Sequence, residues 1–532
     1  MPELKINGKT YSFEEGATLL ETAAAHGIII PTLCYLKELG ALTSCFICVV
    51  EIEGRAALVP ACSAKAAAGM SVSTDSERVK QARKRALELL LSDHTGDCLG
   101  PCQTGCPAHI NIPKFIRELK HGDNRAAIRT IKENVALPAV LGRICPEVCE
   151  KVCRRKEKDA PVSICHLKRF AADFDMSSAK PFLPGLAGAT GKKISIIGAG
   201  PAGLTAAYYL RQRGHEVVIY DKNEKPGGTL RYEIAKTRLP DEVLDEEIAL
   251  IAKLGVKFEQ NKSLGAEIFL KELVKNYDAV LIAAGSKKDD LKQLEKEGLH
   301  IGENGLVTDK ESYETNVTGV FAGPKSTLAV RASEIGRQAA KAIDKYLSGL
   351  KPKIEKRPFS VKMGKLSKEE LEVFLKDSSD FARFLPDMVD MVFVEENPGE
   401  ERVPFFAGEV IEESGRCLRC DCRKEASCFL KKYAIEYNAG PEALKGEKRG
   451  FTRDIKRIGV VYESGKCIMC GICIKICEKY KEKHGMTYIG RGFNVRVSLP
   501  FGRKFEKVLE EAAEECAKSC PTGAISKINY SL

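Results

Sequence analysis

The grouping of cysteines constrains this chain more strongly than any other feature of its sequence. All 21 cysteines of the 532 residues fall in a few tight groups, and none occurs between Cys165 and Cys417. Cysteines that only filled hydrophobic cores would be scattered along the chain, and their frequency here is well below that of a small disulfide-bonded scaffold. The pattern therefore predicts metal centres that are held by cysteine thiolates.

Length and hydrophobic composition narrow the class of protein further. The 532 residues and the hydrophobic fraction of 44% suffice for three or four domains with their own cores, and they exclude a wholly disordered or coiled-coil chain. No stretch approaches the ~18 uncharged apolar residues of a membrane span, and the first residues do not resemble a signal peptide, so we expect a cytoplasmic protein without a membrane span.

The formal charge of +10 does not predict a nucleic-acid partner. That sum counts every thiol as neutral, whereas a cluster with four thiolates is a net anion of roughly two charges. Four such clusters and a bound dinucleotide would offset most of the positive charge. We therefore interpret the basic residues as compensation for cofactors.

The patterning along the chain predicts a multidomain protein of mixed α+β and α/β class. Residues 1–80 contain β-rich segments, a turn-forming Asn7-Gly8 pair and one short helix, whereas helical periodicity dominates from 81 to 185. Strands and helices alternate over 186–350. Residues 351–415 are rich in Lys, Glu and Pro and are predicted to be a connector, and 416–532 form a second cysteine-rich module.

The first cysteine group has the spacing C-x10-C-x2-C-x13-C and comprises Cys34, Cys45, Cys48 and Cys62. Four thiols are the full complement for a cluster with cysteine ligands, and C-x2-C lets two neighbouring sulfurs converge. A structural zinc is the alternative, although zinc ribbons usually carry two C-x2-C knuckles. The segments PTLCY, SCFICVVEIEG and LVPAC resemble the [2Fe-2S] domain of the complex I large iron–sulfur subunit and of [FeFe] hydrogenases. This resemblance implies a β-grasp ferredoxin fold with one [2Fe-2S] cluster.

The second group contains seven cysteines and a preceding histidine: His94, Cys98, Cys102, Cys106, Cys145, Cys149, Cys153 and Cys165. Two of the cysteines are followed by Pro, and in ferredoxins a Cys-Pro pair ends a [4Fe-4S] loop whose last ligand serves the other cluster. The group therefore predicts two interleaved clusters. The segments GRICPEVCEKVCRR and ICHLKRFAADF resemble the N-terminal domain of the glutamate synthase small subunit and of dihydropyrimidine dehydrogenase, and the resemblance spans roughly residues 90–350.

This resemblance implies a helical domain with two [4Fe-4S] clusters. One cluster would be held by Cys106, Cys145, Cys149 and Cys165, and the other by Cys98, Cys102 and Cys153. The second set lacks one thiolate. His94 precedes Cys98 with the H-x3-C spacing of the histidine-ligated cluster in the complex I subunit, and imidazole can replace thiolate in iron–sulfur centres. Asp97 is the rival ligand, and a histidine that binds no metal is the third alternative.

The third group is typical of a ferredoxin. Cys467, Cys470 and Cys473 have C-x2-C-x2-C spacing, and the distant Cys520 precedes Pro, so these four residues predict a [4Fe-4S] cluster. The segment KCIMCGICIKICE also resembles the corresponding module of complex I and hydrogenases. Cys477 and Cys516 stand where ligands of a second ferredoxin cluster would be.

The fourth group, Cys417, Cys420, Cys422 and Cys428, is compact but has unusual spacing. A further [4Fe-4S] cluster is our first interpretation. Zinc, or ligation shared with Cys477 and Cys516, is the alternative. The total prediction is one [2Fe-2S] cluster and three to four [4Fe-4S] clusters.

The segment KKISIIGAGPAG predicts a strand that enters a helix through a glycine-rich turn. The three glycines permit the tight turn, the approach of a pyrophosphate and close helix–strand packing, and the acidic Asp221 follows at the distance required for a ribose contact. The segment KPGGTLRYEIAKTRLPDEVLDEEI resembles the flavin-binding part of the glutamate synthase small subunit and implies FAD. The candidate cofactor-binding residues are Gly198, Gly200, Pro201, Ala202, Gly203, Asp221, Gly228, Thr229, Arg238, Gly285 and Gly323.

The predicted flavin-binding region departs from the family pattern in two ways. Relatives insert a second dinucleotide domain of more than a hundred residues, but only about thirty residues separate Ser286 from Thr315, about the length of one βαβ unit. We therefore predict that the chain has no NAD(P)H domain. In addition, Pro324 and Lys325 stand where the family commonly has an Asp near the ribityl chain, and Lys325 is either a solvated side chain or a cation near the flavin.

The sequence thus predicts an FAD and iron–sulfur electron-transfer subunit of an anaerobic oxidoreductase complex, without catalytic residues of its own. We expect a catalytic partner, namely a tungsten or molybdenum aldehyde or formate oxidoreductase or a hydrogenase, and exchange with ferredoxin or a complex I-like NADH-oxidising subunit. Flavin-based bifurcation is compatible with this expectation. The alternatives are a self-sufficient FAD-dependent reductase of a small molecule and a zinc-rich scaffold.

Overall fold

A computed structural model describes residues 1–285, 288–303, 305–355, 358–384, 407–444, 446–456, 459–502, 505, 509 and 511–528. Ser286 and residues 385–406 of the predicted connector lie outside the described residues. The chain divides into two compact units. The first comprises Met1–Gly100, Phe359–Asp377 and Cys420–Leu532, and the second comprises Pro101–Pro358 and Ser378–Arg419.

The first unit begins with a small mixed sheet of five strands. Its elements are β1 (Glu3–Ile6), β2 (Lys9–Ser12), α1 (Leu19–Ala25), β3 (Tyr35–Leu36), β4 (Gly40–Ala41), β5 (Val49–Ile52), β6 (Val59–Pro60), β7 (Ser71–Ser73) and α2 (Glu77–Ser92). The strand order is β2-β1-β7-β5-β6, with β1 and β7 parallel and the other pairs antiparallel. Asn7 and Gly8 both have positive φ, as the predicted two-residue hairpin requires.

The second unit begins with a set of short helices. They are α3 (Pro101–Gly105), α4 (Ile112–Lys120), α5 (Asn124–Lys132), α6 (Pro138–Ile144), α7 (Val148–Lys151) and α8 (Ile164–Met176). Asn111 and Asp123 cap α4 and α5 through their side chains, and both helices have basic residues in the last turn, where the helix dipole favours them.

A parallel sheet with helices follows in the second unit. Its elements are β8 (Lys193–Ile197), α9 (Pro201–Gln212), β9 (Glu216–Tyr220), α10 (Thr229–Tyr232), α11 (Asp241–Lys253), β10 (Lys257–Glu259), α12 (Leu270–Asn276), β11 (Ala279–Ile282), α13 (Lys288–Lys296), β12 (Ile301–Gly302), β13 (Gly305–Leu306), β14 (Val320–Ala322) and α14 (Ala329–Leu347). The order is β10-β9-β8-β11-β14 and every neighbouring pair is parallel. This is the predicted Rossmann-like arrangement.

The helices and the parallel sheet of the second unit share one hydrophobic core. Buried side chains of α4 to α8, such as Phe115 and Leu167, belong to the same cluster as Ile196 of β8, Leu204 of α9 and Ile343 of α14. The two parts are therefore packed as one body, although their sequence patterns differ.

The remaining elements belong to both units. They are α15 (Lys368–Leu375), α16 (Ala407–Gly415), α17 (Phe429–Glu436), β15 (Arg453–Lys456), β16 (Val460–Glu463), α18 (Ile472–Lys479), β17 (Thr487–Ile489), β18 (Arg496–Ser498), α19 (Ala513–Ser519) and β19 (Ile525–Lys527). Short 3-10 helices cover Arg154–Glu157, Ser464–Lys466, Gly492–Asn494 and Pro500–Gly502. Residues 351–415, predicted as a connector, thus include α15 of the first unit and α16 of the second.

Candidate functional sites

The first cysteine group forms two close pairs in the first unit. The Sγ atoms of Cys34 and Cys45 are 3.3 Å apart, and Cys48 forms a corresponding contact with Cys62. The contact with Cys45 lowers the pKa of Cys34 to about 5, and the contact with Cys48 lowers the pKa of Cys62. All four side chains are buried. A binuclear cluster with cysteine ligands has two irons and four thiolates, so two pairs of thiols fit a [2Fe-2S] cluster.

The third cysteine group is gathered beside these pairs in the same unit. Cys467, Cys470 and Cys473 precede or begin α18, Cys520 ends α19, and each raises the pKa of its neighbours. Gly471 has positive φ, which allows the tight turn between the second and third cysteines. The four thiols match the donor set of a [4Fe-4S] cluster.

The two sites of the first unit are adjacent. The Ser44 hydroxyl donates to the carbonyl of Cys470 at 3.3 Å, and Cys34 is among the groups that raise the pKa of Cys470. Centres bound at the two sites would therefore be neighbours, as one-electron transfer requires.

A second four-thiol site lies among the helices of the second unit. Cys145 contacts Cys165, and this contact lowers the pKa of Cys145 to about 5. Burial raises the pKa of Cys106 and of Cys149, Cys145 adds to both increases, and Cys106 adds to that of Cys149. The set agrees with the ligands implied by the family resemblance, although cluster ligation itself remains a prediction.

A buried lysine accompanies this helical site. Lys168 is 5% exposed, and its Nζ donates to the carbonyl of Leu141 at 2.9 Å. Thiolates at all four cysteines raise its pKa, which keeps the ammonium charged despite burial. The Sγ of Cys165 also lies 3.4 Å from the carbonyl of Gly142. A fixed cation beside four thiolates favours extra negative charge on a bound cluster.

The structure divides the fourth cysteine group between the two units. Cys417 belongs to the second unit, and Cys420, Cys422 and Cys428 belong to the first. In the first unit, the N–H of Cys422 donates to the carbonyl of Cys98 at 3.1 Å. Burial raises the pKa of Cys98 to about 11 and that of Cys428 to about 12, and Cys422 adds to both increases. Cys98, Cys422 and Cys428 therefore lie together.

Cys417 lies close to the loop that follows Cys153. The guanidinium of Arg416 is fully buried and donates to the carbonyls of Ala160 and Pro161 at 2.8 and 3.2 Å. Cys102, Cys153 and Cys417 are partly buried against the same core. Of the predicted set Cys98, Cys102 and Cys153, the first is thus in the first unit and the other two are in the second, and that ligand set stays a prediction.

His94 is a buried neutral imidazole in the first unit. Burial, aided by Lys466, lowers its pKa to about 3, and its Nδ1 is buried without a hydrogen-bond partner. Such a nitrogen is able to bind a metal, but its role as a ligand stays a prediction. The rival ligand Asp97 accepts a hydrogen bond from the N–H of Met363 at 3.0 Å.

Cys477 and Cys516 are in contact with each other and lie near the ferredoxin-type site. The contact lowers the pKa of Cys477, and the Sγ of Cys516 is 3.7 Å from the carbonyl of Cys473. Both thiols are buried.

The glycine-rich turn has room for a dinucleotide. Gly198 has φ +107, and a Cβ there would meet the carbonyl of Ala283. A Cβ on Gly203 would collide with the carbonyl of Gly198, so helix α9 packs tightly on β8. By contrast, a Cβ on Gly200 would enter open space next to the start of α9. This is the cradle that a pyrophosphate needs, and the residues present therefore fit FAD.

The other predicted flavin residues surround this turn. Asp221, at the end of β9, accepts the N–H of Ala199 at 2.6 Å and the N–H of Asn223 at 2.8 Å. It therefore fixes the turn in addition to its predicted ribose contact. A Cβ on Gly228 would lie 2.8 Å from the Cα of Gly200, so this second glycine turn packs over the first.

Several further residues have defined positions. Pro201 begins α9, Thr229 begins α10, and Gly285, with φ +85, follows β11. Arg238 donates to the carbonyl of Ile144, the residue before Cys145, at 3.2 Å. This contact connects the predicted flavin region to the helical cysteine site.

Two close packing contacts involve glycines near the predicted flavin site. A Cβ on Gly323 would collide with the side chain of Ile335, and one on Gly336 would collide with the carbonyl of Ala202. Helix α14 therefore crosses α9 at close range. Sequence analysis did not identify Gly336, because its partner is more than a hundred residues away.

Glu247 is another functional candidate that sequence analysis missed. It is fully buried, and its carboxylate accepts the N–H groups of Ala139 and Val140 at 2.8 and 2.9 Å, at the start of α6. Burial raises its pKa to about 7. The residue thus connects α11, next to the parallel sheet, with the helix that leads to Cys145. An isolated Glu within an amphipathic helix gives no signal of this role.

The segment between β11 and β14 is short. Its described residues contain α13 and the β12–β13 hairpin, and β14 pairs directly with β11. Within those residues there is no second parallel sheet. Pro324 and Lys325 are exposed at the end of β14.

Two features are absent from the described residues: a set of side chains around a single metal ion, and a helix that could cross a membrane. Nowhere in those ranges are three His, Cys, Asp or Glu side chains close enough to hold a single metal ion. None of the described helices combines the length and apolar character needed to cross a membrane.

Four protein-family models match successive parts of the chain. Residues 2–77 match a 2Fe-2S iron–sulfur cluster binding domain, and 73–180 match domain II of dihydropyrimidine dehydrogenase with its 4Fe-4S cluster. Residues 178–324 match the pyridine nucleotide-disulphide oxidoreductase model, and 460–526 match a 4Fe-4S single cluster domain. These matches confirm the predicted 2Fe-2S, 4Fe-4S and FAD-type dinucleotide domains.

Curated relatives have related domains. The chain is 36% identical over 246 residues to a homolog of the NAD-dependent dihydropyrimidine dehydrogenase subunit PreT from Salmonella typhi, covering 46% of this chain and 58% of that protein. It is 40% identical over 206 residues to the beta subunit of the NADP(+)-dependent formate dehydrogenase of Moorella thermoacetica, covering 35% and 29%. It is 36% identical over 229 residues to the NADPH-Fe(3+) oxidoreductase subunit beta of Geobacter sulfurreducens strain PCA, covering 41% and 34%.

The chain therefore spans somewhat more than half of the first relative and about a third of the other two. All three relatives are oxidoreductase subunits. The predicted resemblance to FAD and iron–sulfur oxidoreductases is confirmed, and so is the oxidoreductase class.

Proposed function

We propose that this chain is an electron-transfer subunit of a multisubunit oxidoreductase. In this role it passes electrons between FAD and several iron–sulfur clusters, while the terminal substrate chemistry takes place on a partner. When bound, FAD exchanges electrons singly or in pairs and clusters exchange them singly. A chain that holds both can therefore couple two-electron and one-electron partners.

One observation carries the proposal: the glycine-rich turn and the helical four-thiol site belong to a single packed core. Arg238 and Glu247 connect the dinucleotide fold to the segment around α6, directly before Cys145. Their task is structural, since they fix where the two cofactor sites lie relative to each other. Fixed positions of the two sites keep the distance for electron transfer between their cofactors constant.

The first unit supports the same role. The site of the first cysteine group is adjacent to the ferredoxin-type site of Cys467, Cys470, Cys473 and Cys520. The hydroxyl of Ser44 donates to the carbonyl of Cys470 between them. Clusters bound at these two adjacent sites would form a relay.

We further propose that the chain does not exchange hydride with a nicotinamide directly. The short segment between β11 and β14 supports this proposal, because the sequence between them is too short for a second dinucleotide domain. The names of the relatives mention NAD and NADP(+), so in this proposal a partner subunit handles the nicotinamide. A reducing cytoplasm suits a chain with 21 cysteines.

The partner is proposed to be a tungsten or molybdenum aldehyde or formate oxidoreductase or a hydrogenase. Ferredoxin or a complex I-like NADH-oxidising subunit would be the second electron-transfer partner of the chain, with or without flavin-based bifurcation. The formate dehydrogenase relative favours the formate branch. A self-sufficient FAD-dependent reductase of a small molecule is the second candidate.

Affinity purification from the native cell under anaerobic conditions tests the proposal. A tag on the full chain should recover a catalytic oxidoreductase subunit in a fixed ratio, as measured by quantitative mass spectrometry. The opposite result is a chain recovered alone that turns over a small substrate at its FAD. That result would support the second candidate.

A further inference from the structure

The distribution of thiols in the first unit contains a group that the family models do not include. Cys98 lies in the region matched by the dihydropyrimidine dehydrogenase domain, but Cys422 and Cys428 lie between the matches that end at residue 324 and begin at residue 460. Cys98 precedes Cys422 and Cys428 by more than 300 residues, yet the chain folds the three cysteines together. Packing alone gives no reason to gather three thiols.

Backbone contacts define the group. The N–H of Cys422 donates to the carbonyl of Cys98 at 3.1 Å, and the N–H of Phe429, next to Cys428, donates to the carbonyl of Pro521 at 3.0 Å. A Cβ on Gly523 would collide with the Sγ of Cys422, so the absence of a side chain there leaves space at the sulfur. Three separate segments are thus held around one region.

The sulfurs also have the surroundings of metal-bound thiolates. The N–H of Val361 approaches the Sγ of Cys98 at 3.5 Å, and the N–H of Lys431 approaches the Sγ of Cys428 at the same distance. Hydrogen bonds to sulfur are a main way in which proteins tune iron–sulfur clusters. The ammonium of Lys466 is buried nearby and pairs with the carboxylate of Glu463 at 2.6 Å, and a thiolate at Cys422 also raises the pKa of this lysine.

We infer that Cys98, Cys422 and Cys428 bind one further iron–sulfur cluster of the [4Fe-4S] class. Their thiols would release their protons on binding. The fourth iron takes a ligand other than these three, and iron–sulfur centres accept non-cysteine ligands. This assignment removes Cys98 from the set with Cys102 and Cys153 that the family resemblance implies.

A single zinc ion fits this group less well. The described residues contain no three such side chains around one ion position, and this holds equally for the ferredoxin-type site that matches a 4Fe-4S domain. A cluster binds each thiolate at a different iron, so it tolerates a wider separation of the sulfurs than a single ion does.

The site is well placed to continue the relay of the first unit. The Nζ of Lys424, two residues after Cys422, donates to the carbonyl of Cys520 at 2.8 Å, and Cys520 is among the groups that raise the pKa of Cys428. The inferred cluster would thus adjoin the ferredoxin-type cluster. The ligand assignment does not depend on the proposed function, because iron content and spectra test it without any partner or turnover.

Single serine variants of the full chain test the inference. Cys98→Ser, Cys422→Ser and Cys428→Ser are purified anaerobically, reconstituted with iron and sulfide, and examined by iron analysis and by electron paramagnetic resonance of the reduced protein. All three should lose the same signal and the same share of iron, whereas Cys102→Ser should lose a different signal. Val79→Ala, which changes a buried side chain of the same unit outside every cysteine group, should keep every signal. The signal of the [2Fe-2S] cluster predicted at Cys34, Cys45, Cys48 and Cys62, which lie in the same unit, reports whether that unit has folded in each variant.

The inference is overturned if Cys98→Ser and Cys102→Ser abolish one common signal that Cys422→Ser and Cys428→Ser retain. A second measurement needs no variant: alkylation of the unsubstituted protein is followed by mass spectrometry while the clusters are removed by oxidation. Cys98, Cys422 and Cys428 should become labelled with one time course. Labelling of Cys98 in step with Cys102, and not with Cys422, would contradict the site.

Discussion

The ferredoxin-type site of the first unit and the helical site of the second have the same four-thiol donor set but different charges around it. Lys168 is buried against all four thiols of the helical site. At the ferredoxin-type site, Arg449 is the cation that affects Cys467, and the buried Tyr462 faces the thiols as a neutral group. The comparison teaches that two different cysteine spacings can supply the same donor set, so we expect the neighbouring charges to distinguish the reduction potentials of the two clusters.

The largest expected effect is the loss of one of these two clusters at a time. Cys149→Ser should remove the helical cluster, with about four iron atoms per chain, and leave the signal of the ferredoxin-type cluster in place. Cys473→Ser should do the reverse. Iron analysis and electron paramagnetic resonance of both variants check this result. Loss of a single shared signal in both variants would contradict two separate sites.

The next largest effect is a loss of flavin that leaves the clusters in place. Gly200→Val fills the open space at the glycine turn and should lower FAD affinity roughly 5- to 150-fold, since overpacking costs about 1–3 kcal/mol. Both four-thiol signals should persist. Flavin released on denaturation measures the loss, and Gly185→Val, at another open position of the same unit, is the matched control. Full flavin content in Gly200→Val would place the dinucleotide elsewhere.

A smaller effect tests the charge difference itself. Lys168→Gln removes the buried cation and should lower the midpoint potential of the helical cluster by roughly 50–100 mV, because a reduced cluster carries more negative charge. The ferredoxin-type cluster should keep its potential. A spectroscopic redox titration of both signals provides the measurement. An unchanged helical potential would show that Lys168 serves only packing.

The smallest expected effect concerns two buried glutamates. Burial raises the pKa of Glu247 to about 7, whereas Lys466, Arg423 and Arg453 hold the pKa of Glu463 well below its usual range. A raised carboxyl pKa means that stability is present at low pH and is lost as pH rises through 7. Glu463 behaves oppositely, since its contribution is lost only in acid.

Lowering the pH from 8 to 6 should therefore stabilise the second unit through Glu247 by about 1 kcal/mol. Glu247→Gln should abolish this gain, as measured by the pH dependence of thermal unfolding followed by flavin release. An identical pH dependence in the variant would rule out Glu247 as its source.

Sequence patterns predicted local structure and cofactor type well. The hairpin at Asn7-Gly8, the strand–turn–helix around Gly198 and the domain types all depend on spacing within a few residues, and the structure or the family models confirm them. The pattern did not reveal α15, although Ser367 and Glu370 form a capping box at its start. Its core-facing residue Phe374 stacks on Phe451, a contact that a local pattern cannot contain.

Long-range contacts explain the rest of what sequence analysis missed. The compact spacing of Cys417 to Cys428 predicts one cluster, and this stays a prediction, because the chain passes from the second unit to the first between Cys417 and Cys420. Lys168 and Glu247 are likewise ordinary helical residues in sequence. Their importance comes from thiols and backbone amides that other segments supply.

The account depends most on the claim that this chain conducts electrons through FAD and clusters without its own nicotinamide chemistry. Anaerobic stopped-flow spectroscopy of the isolated, fully reconstituted chain tests that claim directly. Reduced ferredoxin should bleach the absorption of the flavin and the clusters within the time range of the stopped-flow measurement. NADH and NADPH should leave this absorption unchanged. Rapid and stoichiometric bleaching by either nicotinamide, or a preparation that contains neither flavin nor iron, would contradict the account.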